Sequence, residues 1–118
     1  AVMIRRAQER ETCDKTMFGG PGMAHFTKLL NETEFEGKGR LYNHVLLRPG
    51  DAVGKHRHNG DFEVFFILKG EGLYDDNGCE TTVRAGDVTV CRHDEEHALL
   101  NNGPDDLEMI ALILYSEK

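Results

Sequence analysis

The chain has 118 residues, with 14 Lys plus Arg against 21 Asp plus Glu and a formal net charge of −7. That length suits one core of ordinary size, and 39% hydrophobic with 30% charged residues excludes a disordered or fibrous chain. The acidic balance argues against nucleic acid and membrane surfaces as partners, because both are read through positive charge. Cys13, Cys79 and Cys91 are odd in number, far apart and without a C-x-x-C pair. They read as reduced thiols rather than as a disulfide framework or a zinc site. The polar run after Ala1-Val2-Met3-Ile4 holds no signal-peptide core, and Met109 to Tyr115 is too short to span a bilayer. A cytoplasmic location is expected.

Residues 1–36 read as an N-terminal arm. Gln8 to Lys15 is either a short polar helix or irregular, Gly19-Gly20-Pro21-Gly22 is a loop, and Met23 to Leu30 suits a strand before an Asn31-capped turn. Such a segment buries little alone and is expected to pack on the rest of the chain or on a partner subunit. Residues 37–118 read as one β domain. Arg40 to Arg48 is a strand stopped by Pro49-Gly50-Asp51, and Phe62 to Lys69 is a second, stopped by Gly70-Glu71-Gly72. Shorter strands fit Leu73–Tyr74, Thr81–Arg84, Val88–Cys91, His97–Asn101 and Leu107–Tyr115, separated by Gly and Asn turns. Strand signals at this spacing indicate an all-β sandwich or barrel. Phe62 to Leu68 and Met109 to Tyr115 are apolar on both faces, where a barrel strand needs only one. The second face suggests a homodimer.

The chemistry concentrates in Lys55-His56-Arg57-His58-Asn59-Gly60-Asp61-Phe62-Glu63. Asn-Gly is a strong hairpin signal, and a two-residue turn would pair His58 with Asp61 and His56 with Glu63. His56 and His58, two apart, share a strand face. Two imidazoles and a carboxylate would then converge within reach of one ion. Asp61, beside the turn, reads as solvated.

These residues resemble the cupin superfamily. Gly50, His56, His58, Glu63 and Gly70 stand at every defining position of its first motif, and Gly86, His97 and Asn101 at the spacing of its second. Two positions depart: Arg92 and Asp94 replace the Pro and Gly of the turn before His97. The motifs cover about half the chain. The resemblance implies a cupin-type jelly-roll β-barrel over 37–118, commonly dimeric, with metal ligands His56, His58, Glu63 and His97. Three imidazoles and a carboxylate suit one divalent transition ion, Mn, Fe, Ni, Co or Zn. An octahedral ion would keep two open positions, and with one Glu the centre carries a local charge of about +1 that favours an anionic small molecule.

Tyr42, His44, Phe65, Ile67 and Cys91 are candidate pocket-lining residues. His44 reads first as a hydrogen-bonded core residue and Cys91 as a buried structural thiol, while Phe65 and Ile67 share the Glu63 face and form an apolar wall. Lys55, Arg57, Arg92 and His93 read as surface groups. Two functions remain open. The first is a metalloenzyme acting on an anionic or oxygenated small molecule, of dioxygenase, isomerase, decarboxylase or lyase type. The alternative is a non-catalytic binding or sensing module with a bound metal. No residue outside the ligand set is placed to act as acid or base, and catalytic residues are unassigned. An inward basic cluster for a sugar phosphate is lacking.

Overall fold

In the structure, a computed structural model describing residues 3–117, side-chain alternation sorts each long strand into an inner and an outer face. Along the last strand Leu107, Met109, Ala111 and Ile113 are buried, while Glu108, Ile110, Leu112 and Leu114 between them are half-buried. Burying each large apolar side chain contributes about 1.5–3 kcal/mol, which holds the strand in this register.

The strands among the described residues are β1 (Thr12–Lys15), β2 (Ala24–Lys28), β3 (Gly39–Leu47), β4 (Ala52–Arg57), β5 (Asp61–Lys69), β6 (Glu71–Asp76), β7 (Cys79–Arg84), β8 (Val88–Cys91), β9 (Glu96–Leu100) and β10 (Leu107–Tyr115). One sheet has the order β1-β2-β3-β10-β5-β8 and the other β4-β9-β6-β7. All their pairings are antiparallel. Val45, Leu47, Phe65, Ile67, Leu99, Leu107 and Met109 join one core between them. The architecture is the all-β jelly roll expected, built as two facing sheets rather than a closed barrel.

Residues 8–15 depart from expectation. A 3-10 turn at Ala7–Glu9 leads into β1, which pairs with β2 instead of forming a polar helix. All four β1 residues are exposed, so no apolar alternation marked the strand. The expected strand over Met23 to Leu30 forms as β2, pairing with β3. Asn31 opens a 3-10 turn at Glu32–Phe35, its N–H donating to Glu34 Oε1 at 2.6 Å.

The expected Asn59-Gly60 hairpin does not form. β4 and β5 do not pair: β4 joins β9, whereas β5 lies between β10 and β8 in the opposite sheet. A two-residue type I′ turn needs positive φ at both positions, yet only Gly60 has it, at 77°. At Asn77-Gly78 both residues do, at 53° and 91°, and that dipeptide makes the tight hairpin between β6 and β7. Asn59-Gly60 instead turns the corner from one sheet to the other. The expected pairings of His58 with Asp61 and His56 with Glu63 are therefore not strand pairings; His56 lies opposite His97.

The segment before β2 is pinned across β4. Met17 bridges Val53, and Gly54 N–H donates to the Met17 carbonyl at 3.0 Å. A methyl group on Gly54 would sit 2.6 Å from the carbonyl oxygens of both Met17 and Phe18. These are backbone atoms, so the approach requires glycine. Gly54→Ala is expected to lower unfolding stability by about 1–3 kcal/mol, seen as a lower denaturant midpoint. An unchanged midpoint would contradict this close packing.

Candidate metal centre

Four side chains from both sheets meet inside the fold. β4 supplies His56, the corner after it His58, β9 supplies His97, and β5 sends in Glu63 from the facing sheet. His97 is fully buried, His58 and Glu63 nearly so, and His56 is largely covered. Their nearest donor atoms all lie within 4.8 Å of one another. Glu63 Oε1 stands 3.2, 3.0 and 2.9 Å from Nε2 of His56, His58 and His97. The His97 Nε2 is 3.1 Å from that of His56 and 3.3 Å from that of His58.

The other nitrogen of each ring explains this orientation. His56 Nδ1–H donates to the Gly54 carbonyl at 2.8 Å, and His58 Nδ1–H to Asp61 Oδ1 at 2.7 Å. His97 Nδ1–H donates to Tyr74 Oη at 2.7 Å, and Phe65 stacks on its ring at 4.8 Å. A neutral imidazole with its proton on Nδ1 presents a bare lone pair at Nε2. Three such lone pairs and a carboxylate oxygen thus converge on one point. Without a cation between them they repel, and burial removes the water that would screen them.

Protonation answers this poorly. Burial pushes the His97 imidazole below its ordinary pKa, against the pull of Glu63. Burial also disfavours the charged form of His58, but Glu63 and Asp61 outweigh it and raise that group. For Glu63, burial opposes ionisation, yet the histidines, when an Nε2 proton makes them cationic, donate to its carboxylate and hold it well below the usual carboxylate range. Donors sharing an ion at bonds of about 2.0–2.2 Å stand roughly 3 Å apart, which is the spacing of the five pairs above. The residues fit a divalent ion.

The cavity beside the cluster has a volume of about 70 Å³. Its walls are largely apolar, including Phe26, Leu41, Val45, Val53, Phe65, Met109, Ala111 and Ile113. Phe18 lies at its edge, stacked on His56 at 4.2 Å with 15° between ring planes.

Comparison with known proteins agrees with this geometry. The Cupin domain family model matches residues 43–113. An oxalate-binding protein of Thermotoga maritima is 41% identical over 113 residues, covering 96% of this chain and 93% of its own. The chain belongs to the cupin family. A T. maritima crystal structure described as a predicted oxalate decarboxylase superposes on this cupin with a TM-score of 0.91 at 37% identity, covering 97% of this chain and all of the other. The cupin domain of Schizosaccharomyces pombe Cnp3 shares the fold at 12% identity and a TM-score of 0.70, covering 91% of this chain and 88% of its own.

The structure brings together all four expected ligands of this cupin, and other positions need correction. Asp61 is buried rather than solvated, because it accepts from His58 and from Arg40 Nε, the latter at 2.8 Å. Tyr42 and His44 do not line the cavity, since the inward positions of β3 are Leu41 and Val45. His44 is hydrogen-bonded as expected, to Glu108 at 2.9 Å, but is only partly buried rather than core. Phe65 lines the cavity; Ile67 is buried in the core and Cys91 is buried, and neither lines it. Arg57 is half-exposed and paired with Asp94 and Glu96. The unusual Asp94 takes the left-handed conformation itself, with φ of 68°, so the turn before His97 keeps its shape without glycine.

Tyr74, Phe18 and Arg40 join the site with no motif to mark them. Tyr74 carried one signal, since a buried tyrosine hydroxyl usually needs a partner. Tyr74→Phe is expected to weaken metal affinity about 10- to 100-fold with the fold intact, measured by competition against a chelating dye. Unchanged affinity would remove Tyr74 from the site. Burial also pushes the Cys91 thiol up to about 12. A thiol reagent at pH 8 is therefore expected to label the exposed Cys13 and Cys79 rapidly and Cys91 only after unfolding. Three equal labelling rates would contradict that.

Proposed function

We propose that this cupin binds a small oxygenated dianion, oxalate being the model ligand, on a divalent transition ion held by His56, His58, Glu63 and His97. One observation carries the reading: the converging Nε2 and carboxylate donors open onto a small apolar cavity. When bound, an ion with vacant positions would supply Lewis acidity toward a carboxylate oxygen. The chain's own residues set the rest. Glu63 limits the positive charge, the Nδ1 partners hold the rings in place, and the apolar walls favour a ligand of few atoms. The name of the 41% identical relative supports oxalate as the first ligand to test.

Binding without turnover is the reading that the cavity favours. Apart from the ligand set, Arg40 is its one ionisable lining residue among those described, and an arginine does not exchange protons at neutral pH. The metalloenzyme reading draws on the similarity to a structure described as a predicted oxalate decarboxylase. Calorimetry on Mn²⁺-loaded protein is expected to give one oxalate per chain, lost in His97→Ala, with no carbon dioxide released under air. Release at many turnovers per chain would establish the enzyme instead, and absence of oxalate binding would refute the ligand class.

A homodimer and a reducing compartment complete the proposal. The outer face of β5 and β8 exposes Phe66, Leu68, Val88 and Val90 at 39–60%, a continuous apolar surface that a second copy would cover. Light scattering at micromolar concentration is expected to give the mass of two chains, and Val88→Asp the mass of one. A single-chain mass for the unaltered protein would rule the dimer out. The three free thiols are consistent with a reducing location.

A further inference from the structure

Arg40, the second residue of β3, brings a positive charge to an otherwise apolar cavity, and it is the one lysine or arginine among the described lining residues. Its side chain is half-exposed, which suits the cavity mouth. Nε–H donates to Asp61 Oδ2 at 2.8 Å, while Asp61 Oδ1 accepts from His58 Nδ1–H at 2.7 Å. One buried carboxylate therefore ties the guanidinium to a histidine of the metal centre. This contact uses only Nε. The two terminal nitrogens make no hydrogen bond or ion pair with any described residue.

The geometry points to Arg40 as the residue that selects a dianion over a monoanion of the same size, by pairing with the oxygens that face away from the metal. The inference rests on the proposed binding of an oxygenated anion at the centre. A small dicarboxylate held through one or two oxygens keeps others directed into the cavity. Against apolar walls an unpaired carboxylate oxygen is costly, and Arg40 is the available cation. A guanidinium presents a planar fork of donors that matches two carboxylate oxygens, and Asp61 holds that fork in place. A monocarboxylate such as glycolate fills a similar volume but presents less charge to the fork, so it gains less.

The alternative is that Arg40 only positions Asp61, and through it His58. Two variants separate these roles. Arg40→Gln removes the charge yet keeps an N–H donor for Asp61; Arg40→Lys keeps the charge without the fork. Each is loaded with Mn²⁺, its metal content is measured, and it is titrated calorimetrically with oxalate and with glycolate.

For Arg40→Gln the expected result is full metal content, oxalate binding weakened about 10- to 100-fold, and glycolate binding changed less than about threefold. Arg40→Lys is expected between the wild type and Arg40→Gln for oxalate. Equal weakening of both ligands, no weakening of either, or loss of metal in both variants would overturn the selective role. Wild-type protein that takes up Mn²⁺ but binds no oxalate overturns the proposed function together with this inference. Oxalate binding by the wild type that Arg40→Gln leaves unchanged overturns this inference alone.

Discussion

The centre is organised around Glu63, which reaches from one sheet to three imidazoles associated with the other. It sets a carboxylate oxygen within 2.9–3.2 Å of three ring nitrogens, in a largely buried region. In a low-dielectric interior, such a group of lone pairs is strongly unfavourable alone and strongly favourable around a cation. The fold accepts that burden at one place and surrounds it with ordinary apolar packing. Phe65 covers His97, Val53 and Ile113 wall the adjoining cavity, and apart from Tyr74 the remaining core is leucine, isoleucine, valine, methionine and alanine.

Orientation is supplied by a second set of contacts, each from a different kind of acceptor. A backbone carbonyl at Gly54, a carboxylate at Asp61 and a phenol at Tyr74 each hold one ring by Nδ1. Through Gly54 the centre is also coupled to the segment before β2, whose Met17 and Phe18 carbonyls crowd that glycine and whose Phe18 ring stacks on His56. Through Asp61 it is coupled to Arg40 on β3. The N-terminal segment is thus part of the site's wall, although its sequence carries none of the ligands.

Much of the fold was legible because apolar alternation and Gly turns mark buried antiparallel strands directly, as in β5 and β10. What escaped was β1, an exposed edge strand with no buried face to leave a period in the sequence. The cluster of candidate ligands was legible for a different reason: the spacing of His56, His58, Glu63 and His97 matches a family motif even with Arg92 and Asp94 in place of the usual Pro and Gly. The intermediate geometry was not. Asn-Gly predicted a hairpin, but Asn59 lacks the positive φ found at Asn77, and the chain crosses there to the facing sheet. Glu63 arrives at the same ion site by a route that strand pairing did not foresee. Arg40, Tyr74 and Phe18 were unreadable because their roles come from contacts between residues distant in the chain.

If His56, His58, Glu63 and His97 form one high-affinity cation site, the bound ion survives separation from free metal. Metal analysis of protein stripped with chelator, reloaded with Mn²⁺ and passed through a desalting column tests it most directly. One ion per chain, falling to near zero in His56→Ala and in Glu63→Gln, is the predicted result. Less than a few tenths of an ion per chain in the unaltered protein, or the same content in both variants, would mean that these side chains do not form such a site.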